Sequence, residues 1–276
     1  MAQRQLPEEG WSGMESKQVL VIGLGEIGRP LFEVMSEKYP DTRGIDIASV
    51  DSDGPVGLML ICYPFKIPGG YIETTAAYVE KFDPEVVVIN STVEPGTTRM
   101  IEKRIARPCV FSPVRGKHTR MRSELTHYCK WVAGSDAKVA GRVRDHFVAV
   151  GMPSQTMANP ETLELAKLLE TTYFGVLIAW AQEMDRFAGH VGADYFEMVR
   201  FFEEIGYLPG HVFLPGHIGG HCVMPNIDIL KTRFVSPLLD AVVESNNRKA
   251  VELSNQLQSD ERLQPLPMQG RDGVGR

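Results

Sequence analysis

Three stretches of the 276-residue chain carry residue types that could do chemistry. In "PGHIGGHCVMPN", residues 215–226, Cys222 stands among glycines with His217 and His221 close by. A cysteine so placed is a nucleophile, a metal ligand, or a small core residue beside a tight turn. A zinc site would draw on His211, His217, His221 and Cys222, but that spacing matches no standard ligand pattern and the chain has no CxxC pair. The second stretch, "GLGEIG", sets Gly23, Gly25 and Gly28 around Glu26 and Ile27. In a GxGxxG fingerprint the first glycine permits a tight turn and the second lets a pyrophosphate approach the backbone. The third allows close helix–strand packing. The third stretch, "RGKHTRMR", residues 115–122, is cationic within a chain of net charge −6. It is either a solvated loop or, at the ligand-binding edge of a sheet, a place where Arg115, Lys117 and His118 hold a phosphate or carboxylate on the substrate.

Apolar runs supply the elements that must position these groups. "QVLVIG", "TRGIDI", "VGLMLICY", "EVVVIN" and "CVFSP" read as five strands, apolar enough for a parallel sheet covered on both faces. Helices between them make the fold α/β: an N-terminal doubly wound Rossmann domain over residues 16–155, then a mostly helical domain over 156–257. Residues 1–15 and 258–276 read as a disordered leader and tail. In this setting the glycine motif follows a strand and opens a helix whose free N–H groups face a phosphate. Asp46, at the end of the second strand, would accept hydrogen bonds from the ribose hydroxyls and repel a 2′-phosphate, which favours NAD over NADP. A ligand-free glycine turn and an ordinary surface acid are the plain alternatives. Only "SVDSDGP" separates the second strand from the third, where a full mononucleotide-binding half carries another helix and strand. The adenine side of the site is therefore expected to be open.

The second domain begins with "NPETLELAKLLETTYFGVLIAWAQEMDRFAGHVG", a long helix with Asn159 as cap and Pro160 at its first position. Further helices are expected over 194–204 and 235–257. Lys167 either snorkels to solvent or faces a pocket together with Thr171, one turn later. Thr92 caps the helix beginning near "GTTRMIEKRI", lines a ligand site, or does both. The acidic balance argues against a nucleic-acid surface, and no apolar run approaches the roughly 20 residues needed to span a bilayer. "MAQRQLPEEGWSGMESK" lacks the apolar core of a signal peptide. Cys62, Cys109, Cys129 and Cys222 read as reduced thiols of a cytoplasmic protein.

Taken in order, GxGxxG at 23–28, Asp46, "ICYPF" at 61–65, "STVEPGTT" at 91–98, "FSPVRG" at 111–116, "ELAKLLETTYFGVLIAWAQEM" at 164–184 and "PGHIGGHC" at 215–222 resemble the UDP-glucose/GDP-mannose dehydrogenase family. The resemblance implies oxidation of a nucleotide-sugar alcohol to a carboxylate with two NAD. Cys222 matches the nucleophile that forms a thiohemiacetal and then a thioester. Lys167 matches a lysine that stabilises an alkoxide or moves a proton, and Thr92 a threonine that positions water beside the nicotinamide. Ser91, Tyr63 and Pro64 would line the cofactor site, while Gly219 and Gly220 would let the backbone close over the sugar. A homodimer packed through the helix at 160–190 is also implied.

Three positions depart from the family pattern. Thr171 stands where asparagine is usual, Asn226 where aspartate is usual (Asp228 lies two further on), and Val114, in the substrate region, where glutamate is usual. Asparagine cannot carry a proton as aspartate does, so the water-activating half of the reaction is weakened more than hydride transfer. The chain reads as a shortened member without the family's C-terminal nucleotide-sugar-binding domain, acting on an anionic sugar derivative without a metal. Two rivals are an epimerase or eliminating enzyme with tightly held NAD and Lys167 as base, and an NAD-binding protein with an unreactive Cys222.

Overall fold

The computed structural model describes residues 17–46, 54–67, 69–206, 208 and 213–262. The expected leader, residues 263–276 of the expected tail, most of "SVDSDGP" and His211 lie outside the described residues. The chain forms two compact units, residues 1–170 and 171–276.

The first unit is built on seven strands: β1 (Gln18–Ile22), β2 (Thr42–Ile45), β3 (Val56–Ile61), β4 (Val86–Ile89), β5 (Cys109–Phe111), β6 (Lys130–Gly134) and β7 (Ser154–Thr156). Their order is β2-β1-β3-β4-β5-β6-β7. All neighbours are parallel except β5 and β6. The helices are α1 (Gly28–Ser36), α2 (Tyr71–Phe82), α3 (Thr97–Ile105), α4 (Met121–His127) and α5 (Ala137–Ala149), and α6 (Pro160–Val191) begins here. Period-two alternation sorts the strand residues onto two cores. Val19, Val21, Leu58, Leu60, Val86 and Val88 pack with Leu31, Met35, Val143 and Phe147 of α1 and α5. Leu20, Ile22, Met59, Ile61, Val87 and Ile89 pack with Val79 and Ile101 of α2 and α3. Each such side chain contributes about 1.5–3 kcal/mol by leaving water, and covering both faces explains the unbroken apolar runs.

All five expected strands form, and the last residues of "VGLMLICY", "EVVVIN" and "CVFSP" leave the sheet to make loops at its carboxyl edge. The chain order reverses between β1 and β3, so the crevice of a doubly wound sheet opens there. β2 is an edge strand, and among the described residues no further strand lies beyond it. β6 and β7 were not expected: "KWVAG" begins on a lysine and "SQT" has no apolar residue to mark it.

The second unit is helical: the rest of α6, then α7 (Tyr195–Glu203), α8 (Val223–Arg233) and α9 (Pro237–Arg262). α6 begins as expected, with Asn159 Oδ1 accepting from the Thr162 N–H at 2.8 Å. α8 is new, its start hidden by Pro225, which is tolerated in a first helical turn. α9 runs past the expected start of the tail. Among the described residues no helix is long and apolar enough to cross a membrane.

Candidate functional site

The candidate residues fall into two groups, one in each unit. In the first, the turn after β1 is built as the glycine spacing requires. Gly23 has φ +91°, and a Cβ there would stand 2.9 Å from the Tyr63 backbone nitrogen, so the turn presses directly on the end of β3. A Cβ on Gly28 would fall 1.8 Å from the Gly23 carbonyl oxygen. At Gly25 a Cβ would meet nothing within 4 Å. The open side of the turn is thus at Gly25, and α1 begins at Gly28 with no side-chain cap on its N-terminus. This cradle has room and N–H donors for a phosphate. Asp46 is exposed just beyond β2, and the Gly23 N–H donates to the Ile45 carbonyl at 2.7 Å, tying that strand end to the turn. Glu26 and Ile27 complete the turn, with Glu26 exposed.

The loops after β3 and β4 meet at Ser91, whose hydroxyl donates to the Tyr63 carbonyl at 2.6 Å. Tyr63 turns its ring toward Tyr71 and hydrogen-bonds Thr75 of α2 at 2.6 Å, while Pro64 stays exposed. Thr92 is half-buried and does not cap α3, because that helix starts five residues later behind Gly96. The cap comes from the fully buried Glu164 on α6, a residue sequence reasoning assigned no role. Its carboxylate accepts from the N–H groups of Gly96 and Thr98 at 2.6 and 2.8 Å and from the Thr98 hydroxyl at 2.6 Å. Burial pushes the Glu164 pKa up against the pull of these donors. Three residues on, Lys167 is 12% exposed and pairs with Glu170 at 3.1 Å.

The cationic segment lies beside the glycine turn, where His118 Nδ1 stands 2.6 Å from Glu26. Arg115 donates to the Cys129 carbonyl at 2.7 Å and covers the Tyr128 ring, Arg120 pairs with Glu124, and Arg122 pairs with Glu37. Lys117 is exposed. Val114, expected to meet substrate, is instead a core side chain clustered with Met121 and Leu125. Valine in place of an acid gains more by packing inward than by facing a polar crevice.

In the second unit the glycine loop ahead of α8 is held by amides. Gln182 of α6 donates to the Gly216 carbonyl at 2.7 Å, and Asn246 of α9 bonds both the N–H and the carbonyl of Ile218, at 2.7 and 3.1 Å. Ser245 adds a bond to Gln182 at 2.9 Å. Gly220 has φ +78°, which suits glycine, while Gly219 packs loosely. Cys222 is half-buried at the N-cap position of α8, where the helix N-terminus favours a thiolate. One turn into α8, the buried Asn226 donates to the Thr171 hydroxyl at 2.7 Å. The two departures from the family pattern therefore meet each other, as a neutral pair.

The central-domain model of the UDP-glucose/GDP-mannose dehydrogenase family matches residues 161–248. That segment contains nearly all of α6, the held loop, Cys222, α8 and the start of α9. The chain is 27% identical over 258 residues to a UDP-N-acetyl-D-mannosamine dehydrogenase of Methanocaldococcus jannaschii, covering 75% of this chain and 60% of that relative. The chain is thus similar to members of the UDP-glucose/GDP-mannose dehydrogenase family. A UDP-D-ManNAc dehydrogenase structure from Pyrococcus horikoshii superimposes with TM-score 0.76 at 20% identity, covering 88% of this chain and 71% of that one. A UDP-glucose dehydrogenase structure from Pyrobaculum islandicum gives a TM-score of 0.74 at 17% identity, covering 92% of this chain and 73% of that one.

Three further observations bear on the chemistry available to this chain. No disulfide joins the four cysteines, and burial pushes the Cys62 thiol up to about 12 and that of Cys109 well above its ordinary value. Among the described residues no cluster of three or more His, Cys, Asp or Glu could hold a metal. Gln182, Ser245 and Asn246 had no assigned role in the sequence, although a lone glutamine inside the apolar run "FGVLIAWAQEM" and the polar "ESNN" inside α9 were their signals.

Proposed function

We propose that the chain is an NAD-dependent dehydrogenase of a nucleotide-sugar alcohol. The observation that carries this reading is Cys222 at the N-terminus of α8, beneath a loop whose backbone is fixed by buried amides, within the segment that matches the family's central domain. The cradle at Gly25 and the carboxylate of Asp46 support a dinucleotide with free ribose hydroxyls. Bound there, NAD supplies the hydride acceptor. Ser91, Thr92, Tyr63 and Pro64 would border its nicotinamide half, and Lys117 and His118 would hold an anionic group of the substrate. Oxidation of the alcohol to the aldehyde would pass a first hydride to NAD; the Cys222 thiol would then add to the aldehyde carbon, with its proton going to the new hydroxyl. Loss of a second hydride from that carbon to a second NAD, with Lys167 as partner for the hydroxyl proton, would leave a thioester that water cleaves to acid and free thiol. The neutral Thr171–Asn226 pair supports slow cleavage, because neither member can take a proton from water near neutrality.

The exposed Tyr173, Trp180 and Phe187 recur every seven residues along α6 and make an apolar stripe, which supports pairing of two chains through this helix. The chain spans 60% of the relative's length, and UDP-N-acetylmannosamine and UDP-glucose are the substrates to try first. The test follows NADH and product together for the wild type, Cys222→Ser and Asn226→Asp. NADH should form with at least one nucleotide sugar, Cys222→Ser should stop at the aldehyde, and Asn226→Asp should raise the yield of acid. NADH formation without any sugar oxidation, or acid formation undiminished in Cys222→Ser, would overturn the reading.

A further inference from the structure

Lys130 opens β6 and is only 3% exposed. Its amine donates to the Asn90 side-chain oxygen at 3.0 Å and the Ser112 carbonyl at 2.8 Å, and lies 4.9 Å from the Phe147 ring centroid. Buried charges are normally paired, yet among the described residues no carboxylate makes an ion pair with this one. The groups facing it are Cys62 at the end of β3, Asn90 after β4, Ser112 after β5 and Phe147 of α5. The amine thus underlies the carboxyl ends of three neighbouring strands, across the switch point from β2 and Asp46.

The next step rests on the proposed dinucleotide reading. With the adenosine ribose at Asp46 and the phosphates at the glycine turn, the nicotinamide half crosses toward the carboxyl ends of β3, β4 and β5. We propose that Lys130 is a specificity-determining residue that weighs reduced against oxidised dinucleotide, through the positive charge it places beneath the nicotinamide end of the crevice. The oxidised ring is a cation and the reduced ring is neutral, so a nearby buried cation penalises the oxidised form alone. Burial lowers the Lys130 pKa to about 7, with Cys62 opposing. The penalty is therefore present in acid and fades as pH rises through neutrality. By linkage, reduction of the ring raises the proton affinity of Lys130.

Other titrating groups act differently. Cys62 stays protonated, since burial holds it up to about 12. His146, on the same helix as Phe147, is engaged with the Tyr39 hydroxyl at 2.6 Å. The His118–Glu26 pair borders the glycine turn, where both forms of the dinucleotide carry the same phosphate charge, so its effect cancels in their ratio.

The experiment titrates the full chain with NAD+ and with NADH by calorimetry from about pH 6 to about pH 8.5, spanning a lysine that titrates near neutrality. The ratio Kd(NAD+)/Kd(NADH) should fall about tenfold across that range in the wild type. Lys130→Arg, permanently charged, should keep the acid-side ratio throughout, and Lys130→Met the alkaline-side ratio. A flat wild-type ratio, or variants that track the wild type, overturns the assignment; if Lys130→Met does not fold, the wild type and Lys130→Arg still decide it. Failure of both dinucleotides to bind at every pH removes the dinucleotide reading itself, whereas binding with a flat ratio removes only the role of Lys130.

Discussion

The glycine turn of the first unit and the glycine loop of the second are fixed by different means. The turn after β1 is held by backbone: a hydrogen bond to Ile45, contact with the end of β3, and helix packing at Gly28. The loop before α8 is held by side chains reaching from α6 and α9, chiefly Gln182 and Asn246. A backbone-built site depends on glycines and on the strands beneath it. A side-chain-built site depends on a few polar residues remote in sequence, and is easier to detach without unfolding the protein.

The sharpest break in that comparison comes from paired glycine substitutions. Gly28→Val should cost about 3 kcal/mol or more by overpacking against the Gly23 carbonyl, and should abolish dinucleotide binding. Gly25→Ala should leave stability within about 0.5 kcal/mol, since its Cβ meets nothing, while weakening dinucleotide affinity at least tenfold, on the order expected when a phosphate loses close backbone approach. Urea unfolding with NADH fluorescence titration separates the two effects.

Next in size is Asn246→Ala, which strands the buried N–H and carbonyl of Ile218. A cost of about 2 kcal/mol is expected in urea unfolding, with the Cys222 alkylation rate falling while NADH affinity is unchanged. Retained Cys222 reactivity would show that the amides do not position the loop.

The smallest effect is that of Glu164→Gln, about 1 kcal/mol. Because burial raises the Glu164 pKa, the folded chain holds this proton more tightly than the unfolded chain. Its contribution is full in acid and declines as pH rises through the carboxylate range. The deficit of the glutamine variant should therefore be larger near about pH 4 than near about pH 7, measured by denaturant titration at each pH.

The same contrast decides what was legible in the sequence. Apolar runs and glycine spacing announce a backbone-built site, so the strands from Gln18 to Phe111, the turn at Gly23–Gly28 and Asp46 were readable in place. β6 and β7 were not, because an edge strand such as "SQT" has no apolar signature. Gln182, Asn246, Glu164 and Lys130 were silent for a related reason: a single polar residue inside a helix or strand looks the same whether it faces solvent or anchors a distant loop. Val114 misled because a motif position fixes the backbone and not the direction of its side chain. The start of α8 was masked by proline and glycine, although it is what puts Cys222 at a helix N-terminus.

The central claim is that Cys222 is a poised nucleophile, and site-resolved alkylation tests it most directly. Native protein is treated with iodoacetamide across a pH series, and the labelling rate of each cysteine is read by peptide mass spectrometry. Cys222 should label fastest, with an apparent pKa below the ordinary thiol value of about 8.5, while the buried Cys62 and Cys109 stay protected. A Cys222 that labels no faster than the similarly half-buried Cys129, or that titrates as an ordinary thiol, would contradict the account.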